Sequence, residues 1–140
     1  FIVQGITNNP LTIYGSGSQI RGYINIKDTI KCIMLSLKNP PKAGNLEIYN
    51  QFTEQFSINE LANRVITALS KIGLDTKICK IKNPRIEKEK HYYNAKNSKL
   101  KKLGLKPTLL TENSIIEIAN YVKKYKKNID KSLFQPRIKW

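Results

Sequence analysis

The sequence predicts a small mixed α/β fold. Segments with helical periodicity alternate with short apolar segments of strand type, and the helices carry recognisable start and stop signals. No strand runs into a GxGxxG turn and a helix with an acidic residue downstream, which is the pattern that holds a dinucleotide. Residues 1–140 are therefore predicted to be one region without an internal boundary, and without a Rossmann domain.

The first part of the chain is predicted to contain two short strands and a helix. Residues 10–14 (PLTIY) and 22–26 (GYINI) have the composition of strands, and a Gly/Ser turn at residues 15–18 separates them. Asp28 is predicted to cap a helix that stops at the Asn-Pro-Pro of residues 39–41. The apolar residues of this helix recur at i, i+3, i+4 and i+7 and should form its buried face: Ile30, Ile33, Met34 and Leu37.

A strand and a long helix are predicted next. Residues 46–50 (LEIYN) alternate as a strand does. Ser57 and Glu60 have the spacing of a capping box, and Gly73 is the stop signal of the helix that this box begins. The predicted inner face of that helix consists of Ile58, Leu61, Val65, Leu69 and Ile72.

The last part of the chain is predicted to hold a strand and two helices. The strand covers residues 76–81, and the first helix covers residues 98–103. Thr111 should cap the final helix. Its predicted inner face consists of Ile115, Ile118, Val122 and Tyr125.

The net charge of +15 raises the question of a nucleic-acid or anionic-membrane partner. Only four of the 25 basic residues are arginine, although arginine is the residue that reads phosphate and guanine with two hydrogen bonds. The lysines are also scattered along the whole chain. A compositional bias towards lysine explains the charge better than a specific nucleic-acid partner, and a small basic nucleic-acid-binding module is kept as an alternative.

The cysteines and the apolar segments indicate a cytoplasmic type of protein. Cys32 and Cys79 have no CxxC spacing and are expected to be reduced packing residues, neither a zinc site nor a disulfide. No apolar run approaches the roughly 20 residues of a membrane span. The apolar start FIVQGI resembles the end of a helix cut from a longer protein.

Several short patterns resemble phosphate-binding or catalytic motifs, but the residues around them do not favour those functions. Residues 15–22 (GSGSQIRG) lack the spacing of a phosphate loop and are followed by an extended segment, so a turn is predicted. Tyr23 and Lys27, like Tyr92 and Lys96, match Tyr-x-x-x-Lys by coincidence. His91 has no evident acidic partner, and no cluster of residues has metal-ligand spacing.

Two arginines are the strongest candidates for ligand binding. Arg21 and Arg85 each lie beside a predicted strand in a chain that is poor in arginine. The planar guanidinium group can donate two hydrogen bonds to phosphate oxygens, which suits a diphosphate. The alternative is a surface salt bridge, such as one between Arg85 and Glu87 or Glu89.

Three segments resemble a known family. PLTIYGSGSQIRGYINIKDTIKCI, from residue 10, is similar to the substrate-domain segment of extended short-chain dehydrogenase/reductases, whose usual form is PLxVYGDGxQxRDFxxVxD. NQFTEQFSINELA, from residue 50, and NPRIEKEKHYYNAKNSKLKKLGLKP, from residue 83, are more specific. They resemble the C-terminal part of the UDP-sulfoquinovose synthases, an NAD-dependent nucleotide-sugar branch of that family.

This resemblance implies both a fold and a reaction. The family has an N-terminal Rossmann domain and a smaller α/β substrate domain, and this chain would supply the substrate domain. The family converts UDP-glucose and sulfite into UDP-sulfoquinovose, with NAD transiently oxidising the sugar at C4. By the resemblance, NAD would be bound by the missing N-terminal domain and not by this chain. A homodimer is compatible with the full-length enzyme.

The resemblance also implies roles for individual residues. Thr12, Ile13 and Tyr14 match the strand that meets the uracil, and Tyr23 lies where an aromatic residue often lines the nucleotide pocket. Arg21 and Arg85 match two arginines that contact the diphosphate. Either Glu87 or Glu89 would hold the ribose hydroxyl groups, because the usual spacing falls on Lys88 between them.

The catalytic Thr, Tyr and Lys of the family have no counterpart in this sequence. The chain alone is therefore predicted to be inactive and to contain no catalytic residue. The nearest alternative is a fragment of another NAD-dependent nucleotide-sugar epimerase or dehydratase. A degraded paralogue that acts only as a structural partner is a further alternative.

Overall fold

The computed structural model describes residues 1–83 and 95–135. Within this part the chain has a mixed α/β fold, as the sequence predicts. The α-helices are α1 (Ile2–Ile6), α2 (Ile26–Lys38), α3 (Ile58–Ser70), α4 (Ser98–Lys102) and α5 (Glu112–Lys124). The strands are β1 (Leu11–Tyr14), β2 (Ile20–Tyr23), β3 (Glu54–Ser57) and β4 (Ile78–Ile81). Two short 3₁₀ turns, Lys126–Asn128 and Lys131–Phe134, follow α5.

The described residues cluster into two compact units. The first unit comprises residues 1–19, 57–83 and 111–135, and the second comprises residues 20–56 and 95–110. Each unit contains one two-stranded sheet: β1 pairs with β4, and β2 pairs with β3. The pairing of β1 with β4 is parallel, with Leu11 opposite Ile78 and Tyr14 opposite Ile81.

The core of the first unit forms around α3, which contacts α1, α5 and β1. Its fully buried side chains include Ile6, Leu11, Leu69 and Ile115. Gly5 allows the close approach of α1 and α3, because a Cβ atom at this position would clash with the Cδ1 atom of Leu69. The first unit therefore has the interdigitated apolar interior that stabilises a small fold.

The start and stop signals of α3 and α5 are confirmed. Ser57 caps α3 and forms the predicted capping box with Glu60, and Gly73 follows α3 with a positive φ of 75°. Thr111 caps α5 and is paired reciprocally with Ser114. Of the predicted inner face of α5, Ile115 is buried and Val122 is half-buried, whereas Ile118 and Tyr125 are 46% and 49% exposed. Ala119, which was not predicted to face inward, is fully buried. The buried face of α5 is therefore narrower than predicted.

The predicted turn between β1 and β2 is confirmed, and its conformation is fixed by α3. Gly15 and Gly17 have positive φ values of 67° and 74°, which favour glycine. The backbone N–H and the side-chain amide of Asn59 donate hydrogen bonds to the carbonyl oxygens of Gly17 and Ser16, both at 3.0 Å. The turn is thus a structural connection held by the first residues of α3.

The second unit has a small core beneath α2. Cys32, Leu100 and Leu105 are buried together, and Ile24, Leu35 and Tyr49 pack against them. The extended segment predicted at residues 22–26 is displaced: β2 ends at Tyr23, and Ile26 already belongs to α2. Asn25 is the reason, because its side chain caps α2 by accepting a hydrogen bond from the N–H of Lys27 at 2.9 Å.

Asp28 is not the cap that the sequence suggested. It lies in the first turn of α2, is fully buried, and accepts hydrogen bonds from the Thr108 N–H (2.5 Å) and hydroxyl (2.8 Å) and from the Lys31 ammonium group (2.8 Å). Burial alone would raise the pKa of Asp28, but these hydrogen bonds outweigh it and hold the pKa below its ordinary value of 3.8. Asp28 therefore ties the loop at residue 108 to α2.

Three further expectations about the second unit and the cysteines are wrong. The predicted inner face of α2 is exposed, with Ile30 at 58% and Leu37 at 70% of their accessible surface. Residues 46–50 are not a strand, because no described segment pairs with them. Cys79 is exposed on β4 and is not a packing residue, whereas Cys32 is buried as predicted.

Candidate functional site

Arg21 and Tyr23 lie two residues apart on β2 and therefore point to the same side of the strand. The Nη1 atom of Arg21 donates to the carbonyl oxygen of Ile20 at 2.9 Å. No carboxylate from residues 1–83 or 95–135 forms a salt bridge with the Arg21 guanidinium group. Most of its N–H donors are therefore able to bind an anion.

The Tyr23 side chain provides an apolar wall with a neutral hydroxyl group. Its ring packs against Phe56 of β3, with ring centroids 5.8 Å apart. Burial raises the pKa of Tyr23, and the nearby Arg21 charge opposes this shift only in part. Tyr23 is thus protonated at neutral pH and can donate a hydrogen bond next to a cation. Lys27 lies on α2, so Tyr23 and Lys27 do not share the single helix that a catalytic Tyr-x-x-x-Lys pair requires.

Thr12, Ile13 and Tyr14 form the second group of predicted residues, on β1 of the first unit. Ile13 is fully buried, so any contact with a ligand would come from its backbone. The side-chain amide of Gln4 donates to the Thr12 hydroxyl and accepts from the Thr12 N–H, both at 3.1 Å. The Tyr14 hydroxyl is buried and has no hydrogen-bond partner in the part of the chain that the structure describes. It is an unsatisfied donor next to the end of β1.

The remaining predicted residues lie outside the described part of the chain. These are Arg85, Glu87 and Glu89, together with His91 and Tyr92 of the dismissed patterns. The structure thus brings Arg21 and Tyr23 together on β2, and it keeps Thr12, Ile13 and Tyr14 together on β1.

The structure connects the two family-specific segments through side-chain amides of the second unit. Three asparagine or glutamine side chains donate to backbone carbonyl oxygens across this connection, at 2.5–3.0 Å. They are Asn50 to Lys96, Gln55 to Ala95, and Asn97 to Phe52. Asn97 is itself buried. Amides with such partners specify one register between the segments, and this is a physical reason for an amide-rich sequence at residues 50–55.

A cavity of about 400 Å³ lies at this connection, entirely within the second unit. Its volume is in the range of small-ligand sites. Its lining combines apolar, polar and basic side chains: Phe52, Thr53, Glu54, Gln55, Ala95, Lys96, Asn97, Ser98 and Lys101. Sequence reasoning missed this cavity, because it depends on contacts between residues 40 and 46 positions apart.

The described residues contain neither a candidate metal cluster nor a candidate membrane span. No group of three or more His, Cys, Asp or Glu side chains in residues 1–83 and 95–135 could hold a metal ion. None of the helices described here is both long enough and apolar enough to cross a membrane. What the described residues offer is binding chemistry, namely a cation, a neutral phenol and backbone groups at strand ends.

Comparison with known proteins shows a relationship over the whole chain. The sequence is 44% identical over 140 residues to the chloroplastic UDP-sulfoquinovose synthase of Spinacia oleracea. It is 36% identical over 142 residues to the UDP-sulfoquinovose synthase of Sulfolobus acidocaldarius. All of this chain is matched in both cases, but it spans only 29% and 36% of those proteins. No protein-family model matches the sequence.

The fold also has solved relatives. UDP-glucuronic acid 4-epimerase from Bacillus cereus, in complex with UDP-glucuronic acid and NAD, superposes with a TM-score of 0.67 at 28% identity. The match covers 89% of this chain and 38% of the epimerase. These findings confirm the resemblance that the sequence motifs indicated. By sequence the chain is similar to the UDP-sulfoquinovose synthases and by fold to a nucleotide-sugar epimerase, and it fits a C-terminal portion of about a third of such an enzyme.

Proposed function

We propose that this chain forms the UDP-binding portion of an enzyme that converts UDP-glucose and sulfite into UDP-sulfoquinovose. The observation that carries the proposal is the Arg21 guanidinium group, which has no salt-bridge carboxylate among the described residues and lies beside the neutral Tyr23. The 44% identity to the spinach synthase supports the choice of reaction. The 28% identity to a UDP-glucuronic acid epimerase makes another nucleotide-sugar epimerase the second candidate.

Arg21 would bind the diphosphate together with Arg85. Each guanidinium group would donate charge-assisted hydrogen bonds to non-bridging phosphate oxygens, and two such groups balance the charge of a diphosphate. Tyr23 would line the nucleotide pocket and donate its hydroxyl hydrogen. Thr12, Ile13 and Tyr14 would meet the uracil, Ile13 through its backbone because its side chain is buried. Glu87 or Glu89 would accept hydrogen bonds from the ribose hydroxyl groups.

In this proposal the chain itself does not bind NAD. The sequence lacks a strand, a glycine-rich turn and a helix in the order that a dinucleotide site requires. NAD, which would supply the oxidation at the sugar, belongs in this proposal to the rest of the enzyme. The chain alone is therefore expected to be inactive with UDP-glucose and sulfite. The proposal keeps residues 1–140 as the UDP-binding region of a full-length enzyme that is compatible with a homodimer and a reducing, cytoplasmic type of environment.

Titration with UDP tests the site. Hydrogen bonds to a charged group contribute roughly 1.5–3 kcal/mol, so Arg21→Ala and Arg85→Ala should each weaken UDP binding by about one to two orders of magnitude. Arg21→Lys should restore only part of the affinity, since an ammonium group cannot reproduce the planar fork.

The matched control is Arg64→Ala, which removes an exposed arginine of α3 and should leave UDP affinity unchanged. Wild-type affinity in both Arg21→Ala and Arg85→Ala would rule out the proposed site even though the family relationship stands. An equal loss in Arg64→Ala would show that only general electrostatic attraction is involved.

A further inference from the structure

One edge of strand β1 is open among the described residues. The N–H groups of Leu11 and Gly15 donate hydrogen bonds of 2.8 and 2.9 Å to carbonyl oxygens on the β4 side. Successive residues of a strand alternate in direction. The backbone N–H and C=O groups of Thr12 and Tyr14 therefore face away from β4, towards an edge that can bind a further partner.

The side-chain amide of Gln4 binds two polar groups of Thr12 at this edge. The Thr12 N–H donates to Oε1 of Gln4, and Nε2 of Gln4 donates to the Thr12 hydroxyl group, both at 3.1 Å. A backbone N–H can only donate, so the amide oxygen must face it, and this fixes the orientation of the amide. Gln4 is only 9% exposed, and a buried amide with both partners in place is held in one position.

A second glutamine lies at the other end of the same edge. Nε2 of Gln19 is 3.5 Å from the Tyr14 carbonyl oxygen. Between the two glutamines, the Thr12 carbonyl oxygen and the Tyr14 N–H have no hydrogen-bond partner in residues 1–83 and 95–135. The open edge of β1 thus presents one acceptor followed by one donor. Gln4 and Thr12 also line a cavity of about 400 Å³ in the first unit, so there is space for a ligand beside them.

We infer that Gln4 is a positioning residue for the base of the nucleotide. The inference rests on the proposed function, in which β1 meets the uracil. Because Gln4 binds the Thr12 N–H, the pair that stays open is the Thr12 carbonyl oxygen and the Tyr14 N–H. The N3–H group of uracil and a neighbouring carbonyl oxygen are a donor and an acceptor side by side, and they complement this pair. Gln4 would thus fix the register in which the base meets the strand before the ligand arrives.

Two other roles for Gln4 fit the observations less well. Packing of α1 in the first unit does not need an amide, because Ile6 is already buried there and Gly5 lies against Leu69. A buried polar group costs free energy that an apolar side chain at the same place would not. The open edge could instead pair with a further strand, in which case UDP would not protect the Tyr14 amide from hydrogen exchange.

Isothermal titration calorimetry with two nucleotides tests this inference. UDP and N3-methyluridine diphosphate differ at the N3–H group, and the unsubstituted chain should bind UDP at least about tenfold more tightly. Gln4→Met removes both hydrogen bonds to Thr12 and keeps an unbranched side chain. It should weaken UDP binding by about tenfold and reduce the preference over the methylated nucleotide to about threefold or less. The affinity for inorganic pyrophosphate, which has no base, should not change.

Hydrogen exchange provides an independent measurement. In the free chain, Gln4→Met should speed exchange of the Thr12 amide by at least about tenfold, because this N–H loses its acceptor. In the unsubstituted chain, UDP should slow exchange of the Tyr14 amide. Gln4→Asn shortens the side chain by one methylene and withdraws the amide from Thr12, so it should behave as Gln4→Met does. Circular dichroism of each variant establishes that it folds.

The matched control is Thr7→Val. Thr7 follows α1 and is buried, and its hydroxyl donates to the carbonyl oxygens of Val3 and Gln4 at 2.9 and 3.0 Å. The substitution removes buried hydrogen bonds close to Gln4 but leaves both bonds to Thr12, so the preference for UDP should stay at the parental value. An equal loss of preference would show general destabilisation and would overturn the inference.

The outcomes separate this inference from the proposed function. Parental UDP affinity and preference in folded Gln4 variants would overturn the inference, and a loss of UDP binding in Arg21→Ala would show that the proposed function still stands. Exchange of the Tyr14 amide that UDP does not slow would assign the open edge to another partner. Absence of UDP binding by the unsubstituted chain would overturn the proposed function and the inference together.

Discussion

Helices α2 and α3 have the same length of 13 residues, and the sequence predicts an amphipathic face for each. In α3 the apolar residues Val65, Ala68 and Leu69 are buried against neighbouring elements. In α2 the predicted inner face, which consists of Ile30, Ile33, Met34 and Leu37, is exposed, and the buried residues are Asp28 and Cys32. An amphipathic pattern therefore identifies a helix and a face that needs a partner, but it does not say whether the same polypeptide supplies that partner.

Because the apolar face of α3 is buried, truncating one of its side chains should destabilise the fold strongly. Leu69→Ala removes a fully buried side chain of α3 and should lower the free energy of unfolding by about 2–5 kcal/mol, through lost apolar burial and the remaining cavity. Urea denaturation followed by circular dichroism measures the change. A loss below about 1 kcal/mol would mean that the buried face of α3 contributes little more to stability than the exposed face of α2.

The second test concerns the polar anchor of α2. Asp28→Asn should lower the free energy of unfolding at pH 7 by roughly 1.5–3 kcal/mol, because the charge-assisted hydrogen bonds from Lys31 and Thr108 are weakened. The pKa of Asp28 is lower in the folded protein than its ordinary value of 3.8, so its contribution is complete above that value.

Acidification tests whether the ionised Asp28 carboxylate stabilises the folded protein. As the pH falls below about 4 and through the pKa of the folded state, the carboxylate is protonated and its stabilising contribution is lost. The stability difference between the parent and Asp28→Asn should therefore shrink in acid. Urea titrations at several pH values between 7 and 3 measure this, and a difference that grows towards acid would contradict the hydrogen-bond explanation.

A smaller effect is expected at the helix caps. Ser57→Ala in α3 and Asn25→Ala in α2 each remove a side-chain acceptor from the first turn and should each cost about 1 kcal/mol. Thermal denaturation with Thr67→Ala, an exposed substitution in the interior of α3, is a suitable control. Equal losses in α2 and α3 would show that capping does not depend on whether a helix face is covered.

The smallest effect is expected on the exposed apolar face of α2. Ile33→Ala and Leu37→Ala should each change the stability of the free chain by less than about 0.5 kcal/mol, since both side chains are largely in water. Urea denaturation alongside Leu69→Ala makes the contrast direct. Losses of 2 kcal/mol or more would mean that this face of α2 is covered in solution, for instance by a second copy of the chain.

These contrasts also explain what could be predicted from the sequence. Ser57, Gly73 and Thr111 act on residues within one helical turn, so their roles follow from local spacing. The role of Asp28 could not be predicted in this way, because its main partner, Thr108, lies 80 residues further along the chain. Residues 46–50 have a correct strand pattern but no strand, because a strand exists only when another segment pairs with it.

The sequence likewise pointed to some residues of the candidate site but not to their contacts. Arg21 stood out because arginine is rare in this chain, and the structure places it on β2 without a salt-bridge carboxylate among the described residues. Its neighbour Tyr23 was identified through the family resemblance and not through its packing against Phe56. The amide contacts of Asn50, Gln55 and Asn97 depend on the folded chain and were not predicted.

The different environments of the two cysteines make the unmodified chain suitable for single-site labelling. Cys32 is fully buried, and burial together with the Asp28 charge raises the pKa of its thiol, so it should resist maleimide reagents. Cys79 is exposed on β4, directly opposite Thr12 of β1. A fluorophore attached there would lie beside the strand proposed to meet the uracil, and its emission would report UDP binding without any engineered residue.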